Sequence, residues 1–502
     1  MSQIRRQSII SSVVVYVGFA LGFLNTYLFT REGCFSKEEY GLTGIFIALA
    51  NLMFSFANLG MTSYVYKFYP YYKGNLETKK IDILSWALLV SLISFCLIIV
   101  AGLYFKDFIA YKFASNSPDF IKYYVWIFPF GLGLTLYSIL ESYAWQLKKS
   151  VLTNFLREIQ FRLFTTILIV LTFSGLLTNF DIFIKIYSFT YLGIAFILLF
   201  YLISKGHLHL TFKVSIVTKK FYKKIVTLVK FVYGGTLVFA IAGVFDTIVI
   251  ASVMGLKFVA IYTLAQNIGS LIQAPQRGII SSSIAALSQA WKDKDHGRIL
   301  RIYKQSSINQ LIFAVGMFAL IWLNFTDGVF TFHLQEGYID ARWIFFFIGL
   351  YRIIDMGTGV NAQIIATSTL WKFEFYTGVT LLLITLPLNY ILTKYYYGAV
   401  GPAIANLFTF SIYNAFRFWY LKKKFSMQPF TKASLYAVLL GIFAFYICYF
   451  LFNQYTGFWW LVIRSSCFLA IYISGTLWLK LSSDIMPVWK SLQKKAGIKK
   501  GD

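Results

Sequence analysis

The sequence predicts an all-α polytopic membrane protein with about fourteen transmembrane helices, arranged as two six-helix lobes followed by two C-terminal helices. Apolar residues make up 58% of the 502 residues and charged residues only 13%, which is roughly half the charged share of an ordinary globular protein. Many apolar runs also reach the roughly 20 residues that a helix needs to cross a bilayer. A transmembrane β-barrel is not expected, because its strands would alternate polar and apolar residues.

The predicted spans follow one another along the whole chain with short connections. The first twelve are 9–29, 42–66, 83–105, 123–140, 163–180, 186–204, 231–254, 258–276, 305–326, 342–367, 375–393 and 395–416. The run 433–463 is too long for one helix, and the polar residues 453–457 divide it into spans thirteen and fourteen.

The positive charges indicate the topology. Most of the 46 Lys and Arg residues fall in alternate connecting segments, beginning with the N-terminus. Because basic segments are retained on the cytoplasmic side of a membrane, both termini are expected to be cytoplasmic. The net charge of +26 is then explained by topology, and a nucleic-acid partner is not expected.

The longest inner segment separates the first six spans from the next six. We therefore expect an N-lobe at 1–204, a cytoplasmic amphipathic connector at 205–226, a C-lobe at 227–424, spans thirteen and fourteen at 429–481 and a basic cytoplasmic tail at 482–502. Residues 219–226 mix Lys pairs with bulky apolar residues. They are typical either of an amphipathic helix on an anionic leaflet or of a basic linker.

Short motifs at corresponding places in the two halves support a family resemblance. They are Tyr40-Gly41-Leu42, Ala57-Asn58-Leu59-Gly60-Met61, Tyr66-Lys67-Phe68-Tyr69-Pro70, Asp246-Thr247-Ile248-Val249-Ile250 and Ile261-Tyr262-Thr263-Leu264-Ala265. With these motifs in a fourteen-span layout, the chain resembles the O-antigen- and capsule-type polysaccharide flippases of the multidrug/oligosaccharidyl-lipid/polysaccharide exporter (MOP) superfamily. The resemblance implies a V-shaped, two-lobed bundle that works by alternating access.

The resemblance also implies a function. Such a protein would move an undecaprenyl-diphosphate-linked oligosaccharide (an O-antigen, capsule or exopolysaccharide repeat unit) from the inner to the outer leaflet of the bacterial inner membrane. Membrane lipids and the polymerase and glycosyltransferases of the same pathway would be its partners. The branch that carries the peptidoglycan precursor has several Arg in its first two spans, whereas only Arg31 occurs here, at an outer end. That departure puts the peptidoglycan precursor in doubt as the cargo.

Charges inside the predicted spans are the candidate functional residues. A charge at the bilayer centre costs from about 2.5 to more than 10 kcal/mol, so such residues usually face a cavity or a partner. A guanidinium group suits a phosphate. The candidate substrate-binding residues are Arg157, Arg162, Arg277 and Arg352. The possible ion-binding residues or charge partners are Glu141, Glu158, Asp246, Asp355 and Glu374.

Several of these charges can also pair with one another. Glu141 and Arg157 flank one inner turn, Glu158 and Arg162 lie four residues apart on a helix face, and Arg352 and Asp355 are three apart. Structural ion pairs and an anion site therefore both remain open.

Two features of the sequence are expected to interrupt helices close to these charges. Pro275 precedes Arg277 and is expected to loosen the eighth span. Gly357 and Gly359 allow a bend or a close approach of helices after the tenth. Arg464 is expected at the periphery, near lipid headgroups.

The sequence favours a transporter over an enzyme. It has no GxxxxGK[ST] phosphate loop, and its four Cys form no CxxC motif, so no cofactor or metal is expected. Transport would then draw on an ion gradient, the membrane potential or removal of product. Two alternatives stay open: a multidrug or small-molecule exporter of the same superfamily, and a membrane polysaccharide polymerase or glycosyltransferase using acids of the outer loop 327–341.

Overall fold

The computed structural model describes residues 3–33, 35–177, 179–368 and 371–484. Side chains are described for all of these except 3–13, 231, 232, 239, 277, 281, 282, 285, 371, 372, 374 and 375. The described ranges are 84% helical and contain no β-strand. The predicted all-α polytopic membrane fold is confirmed.

Two compact units divide the chain, and the first is Met1–Ala260. Its helices are α1 Gln3–Thr30, α2 Lys37–Asn58, α3 Met61–Asn75, α4 Ile83–Tyr104, α5 Lys106–Phe113, α6 Pro118–Lys122, α7 Ile127–Gln146, α8 Ser150–Asn154, α9 Phe161–Phe173, α10 Phe180–Tyr187, α11 Thr190–Ser204 and α12 Ile216–Val253. A π-helical turn, Phe155–Gln160, joins α8 to α9. Short 3₁₀ turns occur at Thr78–Lys80 and Tyr124–Trp126.

The second unit is Ile261–Asp502. Its helices are α13 Leu256–Ser270, which begins within the first unit, α14 Gln276–Lys292, α15 His296–Thr331, α16 Ala341–Gly357, α17 Asn361–Thr367, α18 Trp371–Ile391, α19 Gly401–Phe425, α20 Lys432–Phe452 and α21 Phe458–Trp478. A π-helical turn follows α18 at Leu392–Tyr397. Short 3₁₀ turns lie at Glu336–Asp340 and Gly398–Val400.

Every predicted span overlaps a helix, but the helices are not uniform in length. Within the described residues, nine helical stretches are long and apolar enough to cross a membrane, or up to ten if the bent pair α16 and α17 is counted. This number is below fourteen because α9 has 13 residues and α13 has 15, and because Val14–Thr30 of α1 is classed with the shorter apolar helices. In addition, predicted spans eleven and twelve overlap the single helical stretch Tyr376–Phe425 and are counted once.

A left-handed break divides the second predicted span. Leu59 has φ 42° and Gly60 has φ 74°, and these two residues separate the end of α2 at Asn58 from the start of α3 at Met61. Asn58 caps the new helix by accepting a hydrogen bond from the amide of Thr62 at 3.1 Å. The helix is therefore interrupted inside a stretch that the sequence predicts as one span.

The connector is irregular in its first half and helical in its second. Residues 207–215 have no regular secondary structure, and α12 then runs for 38 residues through the seventh predicted span. Phe221, Ile225, Leu228 and Val229 pack against the buried core of the first unit. The apolar face of this helix is thus covered by protein. The two compact units divide after Ala260, and the lobe boundaries at 204 and 227 stay a prediction.

Candidate functional site

The π-helical turn Phe155–Gln160 places Arg157 beside Glu141 of α7. Arg157 Nη1 donates to Glu141 Oε2 at 2.9 Å. The Glu141 side chain is 6% exposed and that of Arg157 is 43% exposed. Helical turns of this wide type often occur at functional sites. The pairing expected from the inner hairpin is present, and part of the guanidinium stays open to other ligands.

Arg162 is enclosed between α9 and α1. Its Nη1 lies 2.9 Å from Glu158 Oε2, and Asn25 of α1 donates to its backbone oxygen at 2.9 Å. A Cβ added to Gly18 would lie 2.7 Å from the Glu158 carbonyl oxygen and 2.8 Å from Arg162 Nη1. The glycine therefore permits the close approach of α1, the Arg162–Glu158 pair lies within one helical stretch, and the hydrogen bond from Asn25 links α1 to α9.

Arg352 and Asp355 do not form the ion pair that their spacing permits. Asp355 instead accepts a hydrogen bond from Gln276 Nε2 at 3.0 Å and another from Asn414 Nδ2 at 3.2 Å. Arg352 lies beside Gly269 of α13, in ordinary contact with it. A Cβ added there would lie 3.6 Å from the guanidinium carbon.

The Arg352 guanidinium is buried with little compensation. The residue is 7% exposed, and its Nε donates weakly to the Tyr351 hydroxyl at 3.3 Å. The charge also lies over the Tyr351 ring, 5.7 Å from its centre. Nη1 has no hydrogen-bond partner, and no described carboxylate pairs with the group. Such an arrangement is costly in a low-dielectric interior unless an anion reaches it.

Two helix breaks surround this cluster. Between α13 and α14, residues 271–275 form successive turns in place of a regular helix, as expected beside Pro275. Between α16 and α17 the axis bends by 49° and Gly359 adopts φ +63°. At this second break Asn414 Oδ1 accepts from Thr358 Oγ1 and from Asn361 Nδ2, each at 3.0 Å. In membrane transporters, interrupted helices with polar groups are typical of substrate and ion sites.

For three of the predicted site residues the structure describes few or none of the side-chain contacts. The backbones of Arg277 and Glu374 belong to α14 and α18, but their side chains lie outside the described residues. Asp246 is buried on α12 and interacts with its surroundings.

A second buried ion pair was not expected from the sequence. Arg464 of α21 donates to Asp327 Oδ2 of α15 at 2.8 Å, and both residues are buried. Arg464 also donates to the backbone oxygens of Tyr455 and Leu323. The prediction that Arg464 lies at the periphery is therefore wrong. Its partner is 137 residues away, so no local pattern could indicate the contact.

Asp82 is another buried acid that the sequence did not single out. It accepts hydrogen bonds from the Ser215 amide at 2.9 Å and from Thr218 Oγ1 at 2.8 Å. Thr218 in turn bonds to the Tyr72 hydroxyl at 2.7 Å. Burial raises the pKa of Tyr72, and the hydrogen bond with Thr218 opposes part of that rise. This network ties the start of α12 to α3 and α4.

The fold is shared with solved transporter structures. A structure described as lipid II flippase MurJ in an inward closed conformation superposes with a TM-score of 0.73 and 16% identity, over 94% of this chain and 99% of that one.

An inward-facing MATE multidrug transporter of the MOP superfamily gives a TM-score of 0.61 and 14% identity, over 83% of this chain and 98% of that one. A MOP-superfamily transporter from Pyrococcus furiosus gives 0.55 and 14%, over 84% and 95%.

In sequence the chain matches no protein-family model and no curated protein. The structural neighbours confirm the fold that the family resemblance implied. The chain is a multi-pass membrane protein with the fold of the MOP-superfamily transporters.

Proposed function

We propose that the protein is a flippase that moves an undecaprenyl-diphosphate-linked oligosaccharide from the inner to the outer leaflet by alternating access. The observation that carries the proposal is Arg352, a buried guanidinium with one nitrogen unpartnered and no carboxylate paired to it in the described structure. The flippase MurJ, which shares the fold over nearly the whole chain, is a precedent for a lipid-linked cargo.

The chemistry of Arg352 fits a phosphate group. A guanidinium presents paired N–H donors in a planar fork that matches phosphate oxygens. Asp355 is held by the neutral side chains of Gln276 and Asn414, so an anion at Arg352 would not have to displace a carboxylate. The free nitrogen is enclosed in this structure. Binding therefore requires a rearrangement, and the turns at 271–275 beside α13 are where we expect it.

The other candidate arginines have different roles in this proposal. Arg157 is part-exposed beside Glu141, so it can exchange that carboxylate for a diphosphate at the start of transport. Arg162 serves structure through its pair with Glu158. Arg277 adjoins Gln276 in sequence and is proposed as a further diphosphate contact.

The energy for transport can come from the membrane potential. Moving one negative charge out of an inside-negative cell is favoured by about 2.3 kcal/mol per 100 mV. A diphosphate-linked cargo therefore gains from outward movement without ATP. This direction fits a protein in the bacterial inner membrane with both termini cytoplasmic, working beside the polymerase and glycosyltransferases that use the oligosaccharide.

The test is transport of a fluorescent undecaprenyl-diphosphate-linked oligosaccharide in reconstituted vesicles. Arg352→Gln removes the charge and should slow transport about 10- to 100-fold, the loss expected for one or two hydrogen bonds to a charged group. Arg352→Lys keeps the charge and should retain part of the rate. Arg301→Gln, which changes an exposed arginine of α15, is the matched control. Full transport by folded Arg352→Gln at equal protein would refute the proposal.

A multidrug or small-molecule exporter is the second candidate. The MATE transporter shares the fold, and Asp246 is a buried acid on α12 of the kind that a cationic substrate or coupling ion uses. Efflux of a cationic dye that depends on Asp246 and not on Arg352 would favour this alternative.

A further inference from the structure

The irregular segment 207–216, here called the strap, shows an alternation of exposed apolar side chains. Leu210, Phe212, Val214 and Ile216 are 54%, 58%, 44% and 78% exposed. The intervening residues 209, 211 and 215 are half-buried against the protein. A period of two is that of an extended chain. From 209 to 216, with the exception of exposed Lys213, polar side chains face the protein and apolar ones face away from it, which is the reverse of a water-facing strand. Leu208, before this row, is buried.

Hydrogen bonds fix the orientation of the strap. The Thr211 amide donates to Ser85 Oγ at 2.9 Å, and the Ser215 amide donates to Asp82 Oδ2 at 2.9 Å. At its start, the His207 carbonyl oxygen accepts from the Tyr143 hydroxyl at 3.0 Å. The apolar row therefore cannot turn towards the core without the loss of these bonds.

The position of the strap along the chain indicates what covers it. It follows directly after α11, which ends a membrane-spanning stretch at Ser204, so it lies at the edge of the bilayer. Exposed lysines surround the apolar row, and they are Lys205, Lys213, Lys219, Lys220 and Lys223. Apolar side chains flanked by lysine are typical of segments that lie in the interface of an anionic leaflet.

We infer that the strap is a lipid-binding surface. Leu210, Phe212, Val214 and Ile216 enter the boundary between headgroups and acyl chains of the cytoplasmic leaflet, and the lysines contact phosphate groups of anionic lipids. The strap thereby holds the start of α12 at a fixed depth. This inference does not depend on the transported substrate.

The experiment uses spin labels on the full-length protein in vesicles of equal parts phosphatidylglycerol and phosphatidylcholine. All native cysteines are first replaced by serine. Phe212→Cys carries the label in the apolar row, and Lys213→Cys is the matched control one position along. We expect the label at 212 to be relaxed by oxygen and shielded from a water-soluble nickel chelate. The label at 213 should show the opposite behaviour.

Two results would overturn the inference. The first is equal access of the nickel chelate to positions 212 and 213 in these vesicles. The second is shielding of position 212 that appears only when a cytosolic protein fraction is added, because a protein partner would then cover the strap. Leu210→Cys provides an independent label in case the bulky change at 212 disturbs folding.

The role of anionic lipid is tested separately. Lys219→Gln, Lys220→Gln and Lys223→Gln together should weaken recruitment of fluorescent phosphatidylglycerol to the protein, by about fivefold for each lysine that lies near the surface. The shielding of position 212 should also fall in vesicles of phosphatidylcholine alone. Unchanged recruitment and equal shielding in both vesicles would refute the assignment of an anionic lipid.

Discussion

Replacing Asp327 by asparagine should destabilise the protein strongly, because it leaves the Arg464 guanidinium buried without its counter-charge. The two side chains are 7% and 8% exposed and lie 2.8 Å apart. Asparagine has nearly the same shape, so packing is kept, while the charge and one of the two acceptor oxygens are lost. Removal of one partner from a buried pair costs about 3–5 kcal/mol.

The loss can be measured as a fall in the melting temperature in detergent, followed by tryptophan fluorescence. For a unit of this size, about 2–4 °C are lost per kcal/mol, so Asp327→Asn should melt roughly 6–20 °C below the parent. Glu77→Gln is the matched control. Its pair with Lys80 is 76% and 68% exposed, and an exposed pair contributes only about 0–1 kcal/mol.

A double variant separates charge from packing. Adding Arg464→Met to Asp327→Asn removes the uncompensated cation, and a pair of neutral side chains of similar volume is often no less stable than a buried ion pair. The double variant should therefore recover most of the lost stability. The reasoning fails if Asp327→Asn melts with the Glu77→Gln control, or if the double variant is less stable than the single one.

Three further outcomes follow from packing in the first unit. Gly41→Ala would place a Cβ 2.0 Å from the Leu256 backbone oxygen, so it should cost at least the 1–3 kcal/mol that is typical of overpacking, as measured by thermal unfolding. Gly243→Ala, at a helical glycine with open space around it, should instead be neutral or stabilise by up to about 1 kcal/mol in the same assay. Asp82→Ala leaves the Ser215 amide without its acceptor and removes one acceptor from the Thr218 hydroxyl, and trypsin should then cut after Lys213 several times faster.

The helices were predictable because the evidence for them is local. A run of about 20 apolar residues has few alternatives in a membrane protein, since backbone groups in lipid must be satisfied within the segment. The breaks were predictable only where proline or paired glycines mark them, as at Pro275 and Gly359. The break at Leu59 was missed, because a leucine at φ 42° gives no signal in an apolar run.

The candidate site was predictable to the extent that its pairs are local. Glu158 and Arg162 lie one helical turn apart, and Glu141 meets Arg157 across a single hairpin. The pair of Arg464 with Asp327 depends on which helices are neighbours, so the sequence could not reveal it.

Arg352 and Asp355 were one candidate pair among open alternatives, and the structure gives each of them other contacts. Three-residue spacing permits the pair, yet Arg352 lies against Gly269 on another helix, and the amide of Gln276 satisfies Asp355. The spacing could not decide between these partners, because the competing groups lie far away in the sequence.

The three arginines differ in whether an incoming anion must displace a carboxylate that is already bound to the guanidinium. At Arg157 an incoming phosphate competes with Glu141, and at Arg162 with Glu158. At Arg352 there is no ion pair to break, and the nearby acid is already satisfied by neutral amides. An anion therefore gains most at Arg352, where it relieves a buried charge, and less at Arg157, where it exchanges one carboxylate for another anion. Under the proposed function this difference is useful, because a part-exposed, exchangeable cation suits capture of the cargo and an enclosed, uncompensated cation suits the occluded state.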